Sequence, residues 1–250
     1  MNERTSTFSS SSIYKLVKSG RSKDQEFSAI GLSYIKEKSY EVRLGQSLGS
    51  EQSSKATSWG NVVEAYAYSK IPSYVLESTA RIASDKRRKY PSLMWTGASD
   101  FESDTLVGDI KCPFTRKSFC EQVDIYTKVG AGNIEAFKLE KPEYYWQLVS
   151  NCILANKKFA MAVVYCPRED DVLEILSESN LEYDANDSEA LNQAKEKVKW
   201  LILEETPYLK EECEYSDINY VTFKVPQKDK EFLINRVTLA QIELEKLLKS

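Results

Sequence analysis

LVGDIKCP, Leu106 to Pro113, reads as a buried strand that carries an acid and a lysine two residues apart. Side chains two apart on a strand share a face, so Asp109 and Lys111 point the same way. Leu106, Val107 and Ile110 surround them with apolar neighbours. A buried charge is costly unless it is paired or bound to a metal. Taken alone, Asp-x-Lys reads as an ion pair on an edge strand.

The flanking sequence extends the pattern. MWTGASDFES ends one strand, a turn near Ser103-Asp104 follows, and TLVGDIKCP is the return strand, which brings Asp100 across a hairpin from Asp109. Upstream, SWGNVVEAYAYSKI (Ser58 to Ile71) is expected to form a helix capped by Ser58 and stopped by Pro72, with Glu64 among Val62, Val63 and Ala65. Three inward carboxylates on apolar elements repel one another unless a divalent cation sits between them. Further out, SSSSIYKLVKSG predicts a short helix over Ser9 to Gly20, and a second helix is expected from Asp24 to about Lys38. YVLEST (Tyr74 to Thr79) reads as a strand. KPEYYWQLVSNCILAN reads as an amphipathic helix opening with Pro142, and KFAMAVVYCP as a central strand. The acid-rich stretch at about 170–215 reads as an insertion with a helix over Ser188 to Lys199. NYVTFKVP is a last strand, and a closing helix at about 227–249 carries an apolar stripe of Phe232, Leu233, Val237, Ile242 and Leu247.

Composition narrows the chemistry. The chain has 250 residues, 42% hydrophobic and 29% charged, enough for a real core in a single domain spanning 1–250. It contains no histidine, which excludes Ser-His-Asp and Cys-His nucleophiles, histidine-ligated zinc and a histidine general base. Five scattered cysteines form no CxxC pair and argue against a zinc ribbon, an iron–sulfur cluster or a disulfide framework. Cys112 reads as a small buried residue, and Trp59 and Trp95 as core. No run of about 18 apolar residues occurs, so no membrane span is expected. The opening MNERTSTFSSSS lacks the apolar core of a signal peptide, and a reducing cytoplasm is the expected location. The net charge of −4 requires that any DNA-binding cations be clustered locally. SDKRRKYPS and CPFTRKSF, with Lys86 to Lys89, Arg116 and Lys117, are the candidate clusters.

In order, a helix glutamate, an SD strand, a turn, a DIKCP strand and a YYWQ helix resemble the PD-(D/E)xK nuclease superfamily. Within it they resemble the phage lambda-type exonucleases, also called YqaJ-like viral recombinases. The matching stretches are RTSTFSSSSIYKLVK, WGNVVEAYA, GASDFES, GDIKCPFT, EYYWQLVSNCIL and VVYCPR, covering roughly Arg4 to Arg168. The resemblance implies an α/β restriction-endonuclease-like core, a mixed central β-sheet flanked by helices. It implies metal ligation by Glu64, Asp100, Asp109 and the carbonyl of Ile110, with Lys111 and Gln147 completing the catalytic set. It also implies that Arg4, Ser11 and Tyr144 serve the 5′-phosphate end of DNA. Ser99 stands where the motif has proline, and Asp109 where glutamate is commoner; both departures keep the carboxylates.

The implied activity is Mg²⁺-dependent hydrolysis of linear double-stranded DNA from the 5′ end, leaving 3′ single-stranded tails for recombination. Two ions about 3.5–4 Å apart suit phosphodiester cleavage, and Mn²⁺ is expected to substitute. By the same resemblance the chain forms a homotrimeric ring, partners a single-strand annealing protein and works in a bacterial host cell, phage or prophage encoded. Two other readings remain open: an endonuclease of restriction or repair type, and a non-catalytic DNA-binding protein.

Overall fold

The computed structural model describes residues 6–22, 25–48, 54–83 and 86–249. Phe8–Ser9 (β1) runs into a 3-10 turn, Ser10–Leu16, which buries Ile13 and Leu16. The predicted helix here is the tighter form, and the Ser9 side chain makes no cap hydrogen bond. Helix α1 spans Ala29–Leu44, later than expected from Asp24, because Ser28 is the residue that caps it, accepting from the Gly31 amide. It ends at Gly45, whose φ of 68° is left-handed. Helix α2 spans Lys55–Lys70 and is capped by Ser54; Ser58 lies inside it and is buried. The predicted strand at Tyr74–Thr79 is a turn and bend segment, with Tyr74 84% exposed.

Next come Arg81–Ile82 (β2), Arg88–Lys89 (β3), Trp95–Gly97 (β4), Phe101–Glu102 (β5) and Leu106–Lys111 (β6). Helices Arg116–Gly130 (α3), Ile134–Glu140 (α4) and Pro142–Leu154 (α5) then cross over to Phe159–Tyr165 (β7). Pro142 sits in the first turn of α5, where its missing N–H costs nothing. The 170–215 region carries three short helices, Glu169–Ile175 (α6), Glu178–Leu181 (α7) and Glu189–Val198 (α8), and a 3-10 turn at Leu203–Glu205. Ile218–Lys224 (β8) and Gln227–Lys249 (α9) close the chain. The core face of α9 is Leu233, Val237, Ala240 and Leu244; Phe232 and Ile242 fall beside it and are partly exposed. Among the described residues no helix is long and apolar enough to cross a membrane.

The main sheet is mixed, in the order β2-β5-β6-β7-β8. β6 and β7 pair in parallel, with Asp109 opposite Ala162 and Lys111 opposite Val164, and the other pairs are antiparallel. The parallel pair needs a long crossover, which α3 to α5 provide. The predicted hairpin is present between β5 and β6, but β4 leaves it and joins a separate small sheet, β1-β4-β3. Apolar layers cover both faces of the main sheet. One contains Trp95, Phe119, Tyr145, Trp146 and Val237; the other contains Trp59, Val63, Phe101, Ile110 and Val198.

Gly108 is the tight point of the hairpin. A Cβ there would lie 1.9 Å from the Phe101 ring, which rests on the bare backbone. Gly108→Ala should therefore destabilise the chain by about 2 kcal/mol, through overpacking against a ring with nowhere to move. Urea unfolding of the variant beside the parent checks this.

Candidate active site

The site forms where β5 stops short and leaves an edge of β6 open. The Asp100 amide still donates to the Gly108 carbonyl at 3.0 Å, and there the backbone ladder ends. The Asp100 side chain continues it: its Oδ2 accepts from the Ile110 amide at 2.6 Å. A strand residue aims its N–H and C=O toward the same edge, so the Ile110 carbonyl faces this corner too. Asn151 steadies the approach by donating from Nδ2 to the Ala98 carbonyl at 3.1 Å. Sequence reading missed Asn151, although it stands one turn after Gln147 on the same helix face.

Glu64 reaches this corner from α2, within hydrogen-bonding reach of Asp100. Burial, and then the neighbouring carboxylate of Asp109, outweigh the Lys111 charge and raise the Glu64 carboxyl to about 7. The Asp100 carboxyl is pushed well up by burial first, then by the charges of Asp109 and Glu64. Asp109 is 2% exposed and turns to the α5 side, where its Oδ2 meets Lys111 Nζ at 2.6 Å. Its Oδ1 accepts from Gln147 Nε2, also at 2.6 Å, and Lys111 donates to Gln147 Oε1 at 3.4 Å. Burial pulls the Lys111 ammonium down, but the charges of Asp109, Asp100 and Glu64 outweigh it and hold Lys111 firmly protonated. The Tyr144 ring lies 5.2 Å from the same nitrogen.

The acids stand in two parts. Glu64 and Asp100 stand together beside the Ile110 backbone, whereas Asp109 is held by Lys111 and Gln147. Among the described residues no three His, Cys, Asp or Glu side chains enclose a metal position outright. The donor set nonetheless fits a hard divalent cation. It is all oxygen, and two like-charged carboxyls are forced together in a buried corner with a carbonyl aimed at them. A cavity of about 250 Å³ opens from Glu64, Asp100 and Ile110 toward α8.

The other predicted residues lie elsewhere or outside view. Arg4 lies outside the described residues. Ser11 is exposed on the 3-10 turn, its Oγ 3.3 Å from that of Ser9. Arg116 and Lys117 occupy the exposed first turn of α3, with Lys117 3.8 Å from Glu121. The SDKRRK cluster is partly spent on structure: Lys86 and Arg88 approach buried Glu102 at 3.9 and 2.6 Å, beside Arg81 at 3.0 Å. Cys112 is half-buried rather than buried, and Trp59, Trp95 and Trp146 are core.

No protein-family profile matches the sequence, and no curated protein matches it. Solved structures do. An alkaline exonuclease, LHK-Exo from Laribacter hongkongensis, aligns over 98% of this chain and 91% of its own, at 14% identity and a TM-score of 0.60. The same protein in complex with dAMP gives 14% identity, the same shares and 0.59. A phage-related exonuclease from Haemophilus somnus 129PT aligns over 97% of this chain and 95% of its own, at 18% identity and 0.61. The chain has the fold of these exonucleases. That agrees with the expected mixed sheet flanked by helices and with the resemblance read from the motifs.

Proposed function

We propose that this chain is a Mg²⁺-dependent exonuclease that removes nucleotides from the 5′ end of linear double-stranded DNA and leaves 3′ single-stranded tails. The observation that carries the reading is the corner at the β6 edge, where Glu64, Asp100 and the Ile110 backbone converge beside the Asp109–Lys111–Gln147 network. The likeness to exonuclease structures along nearly the whole chain supports it, as does a bound deoxynucleoside monophosphate in one of them.

In this reading Glu64, Asp100, Asp109 and the Ile110 carbonyl hold the metal, two ions per site, with Mn²⁺ able to substitute for Mg²⁺. The metal supplies charge neutralisation at phosphorus and an acidified water when bound. Lys111 is a poor general base, because the surrounding acids keep it protonated. It acts as a fixed positive charge facing the scissile phosphate. Gln147 spans Asp109 and Lys111 and holds both side chains in place. Ser11 and Arg4 receive the 5′-phosphate, and Arg116 and Lys117 contact the strand beyond the site. A homotrimeric ring, an annealing-protein partner and a cytoplasmic location in a bacterial host complete the proposal.

End-labelled linear duplex, with a 5′-phosphate or a 5′-hydroxyl, and a closed circle of the same sequence test it. The expected result is Mg²⁺-dependent mononucleotide release from the 5′-phosphorylated end, with the circle left intact. A cut circle would replace this reading with an endonuclease. No cleavage of either substrate would leave a DNA-binding role.

A further inference from the structure

Glu102 is a buried carboxylate with more positive charge around it than it needs. It is 1% exposed and meets three cations: Arg88 at 2.6 Å, Arg81 at 3.0 Å and Lys86 at 3.9 Å. Three cations against one anion leave a local surplus of two positive charges, on a chain whose net charge is −4. Both arginines bond Glu102 through a single nitrogen, Nη2. Among the described residues the other nitrogens of the two forks have no protein partner, and the three side chains are 38 to 51% exposed. A guanidinium fork anchored at one corner and open at the other suits a phosphate. Burial pushes the Glu102 carboxyl up, but Arg88 and Arg81 outweigh it and hold it below the usual carboxylate range, so the anchor stays charged.

The register of the small sheet places this group. β1 and β4 run in parallel and leave the sheet at the same end, β1 into the turn that holds Ser11 and β4 toward Asp100. β3 runs antiparallel to β4 with Arg88 opposite Gly97, so Arg88 lies at that end too. In the order β1-β4-β3 this end presents Ser11, Asp100 and Arg88 in a row, about 10 Å from the first strand to the last. The main sheet agrees. Glu102 comes two residues after Asp100, about 7 Å along the chain as it enters β5, and Arg81 stands directly opposite it on β2. The Ala83 amide, two residues after Arg81, donates to the Asp100 carbonyl at 2.9 Å.

We propose that Arg81 and Arg88, with Lys86 beside them, bind the internucleotide phosphate one linkage to the 3′ side of the scissile one, on the strand being cut. The inference rests on the exonuclease reading, which puts the 5′-phosphate at Ser11 and the scissile phosphate at Asp100. One nucleotide lies between those two phosphates. The next charge on the same strand therefore falls on the far side of Asp100, where the cations stand. Glu102 is a positioning residue: it touches no DNA and aims both guanidinium forks. The contact registers the backbone and carries no base preference.

Binding is measured with Ca²⁺ in place of Mg²⁺, on 5′-phosphorylated duplexes in which one linkage at a time is made neutral as a methylphosphonate. Neutralising the second linkage of the 5′-phosphorylated strand should weaken parent binding about tenfold, the scale of one charge-assisted contact. Arg81→Gln and Arg88→Gln are made singly, so that Glu102 keeps two cations, and melting confirms that each variant is folded. Each should weaken binding of the unmodified duplex and lower its salt slope by about 1. Each should also cut the methylphosphonate effect to about threefold or less, the non-additivity of groups that touch. Lys89→Gln removes the same charge from the opposite face of β3 and should leave the tenfold effect unchanged. An undiminished effect in both arginine variants would overturn the site, and so would a coupled loss found at a linkage of the complementary strand instead. Mg²⁺-dependent release by the same proteins separates the two readings. Coupling in binding without any release would uphold the phosphate contact and remove the nuclease reading. Release without coupling would overturn the contact and leave the nuclease reading standing.

Discussion

Lys111→Ala is expected to lower Mg²⁺-dependent nucleotide release about 10³-fold, the usual scale for losing a preorganised charge at the reacting centre. Lys111 Nζ is the only cation that pairs with an acid of this corner among the described residues, 2.6 Å from Asp109. Among the described residues, Arg81, Lys86 and Arg88 lie against Glu102 instead. The variant also leaves Asp109 buried without its cation, so part of any loss is stability. Rates are therefore compared at equal folded fraction, judged by melting. Lys111→Arg should stay far below the parent, since a planar fork cannot take the place of an ammonium wedged between a carboxylate, an amide and the Tyr144 ring. Undiminished release from folded Lys111→Ala would remove this corner as the seat of the chemistry. Asp109→Ala should match the loss, because both lysine and glutamine are aimed by that one carboxylate.

Why this corner could be read from sequence while its surroundings could not is a question of range. Asp109 and Lys111 share a face through the two-residue period of a strand, and Asp100 follows from the hairpin; both are local geometry. Glu64 entered through its apolar neighbours on a predicted helix and Gln147 through the resemblance of the whole ordered set, and the fold brings each against an acid of this corner. Local signals failed where two candidates competed. Ser28 and Ser54 cap their helices, although nearby Asp24 and Ser58 offered equally good chemistry. The YVLEST segment has strand composition but finds no neighbour, and exposed Tyr74 gains nothing from extending it. β4 leaves the hairpin because the small sheet with β1 offers Trp95 a fully buried place, a contact 87 residues away in the chain that no window could reveal. The same limit hid the side of the cavity that α8 forms: Leu191 and Glu64 line it together only through packing of a segment that carries no motif.

The chelated protein should lose stability as pH rises from 5 to 8 and regain it with Mg²⁺. The sign follows from the acids. Glu64 has its carboxyl raised by burial and by Asp109 to about 7, and Asp100 moves in the same direction. A carboxyl raised by folding favours the protonated folded state, so its contribution is fully present below the unfolded value and is lost as pH climbs through the folded one. For Glu64 alone, moving from 4.5 to about 7 corresponds to about 3 kcal/mol. The carboxyls lowered by folding, Glu77, Glu102 and Asp171, lose their contribution only at more acid pH, so they do not mask the trend in this window. Lys111, raised, stays charged throughout it. Thermal melting in EDTA at pH 5, 6, 7 and 8 reads the slope, and Glu64→Gln should flatten it while raising the melting temperature at pH 8. Adding Mg²⁺ at pH 8 should restore the parent and leave Glu64→Gln much less affected, because the ion stabilises only the state that binds it. A flat pH profile in EDTA would mean that water already solvates these acids. Equal Mg²⁺ stabilisation of parent and variant would place the ion away from Glu64. On the proposed reading, the buried repulsion that destabilises this corner in EDTA is also what would draw a cation to it, so stability without metal and activity with it should move in opposite directions across Glu64 and Asp100 variants.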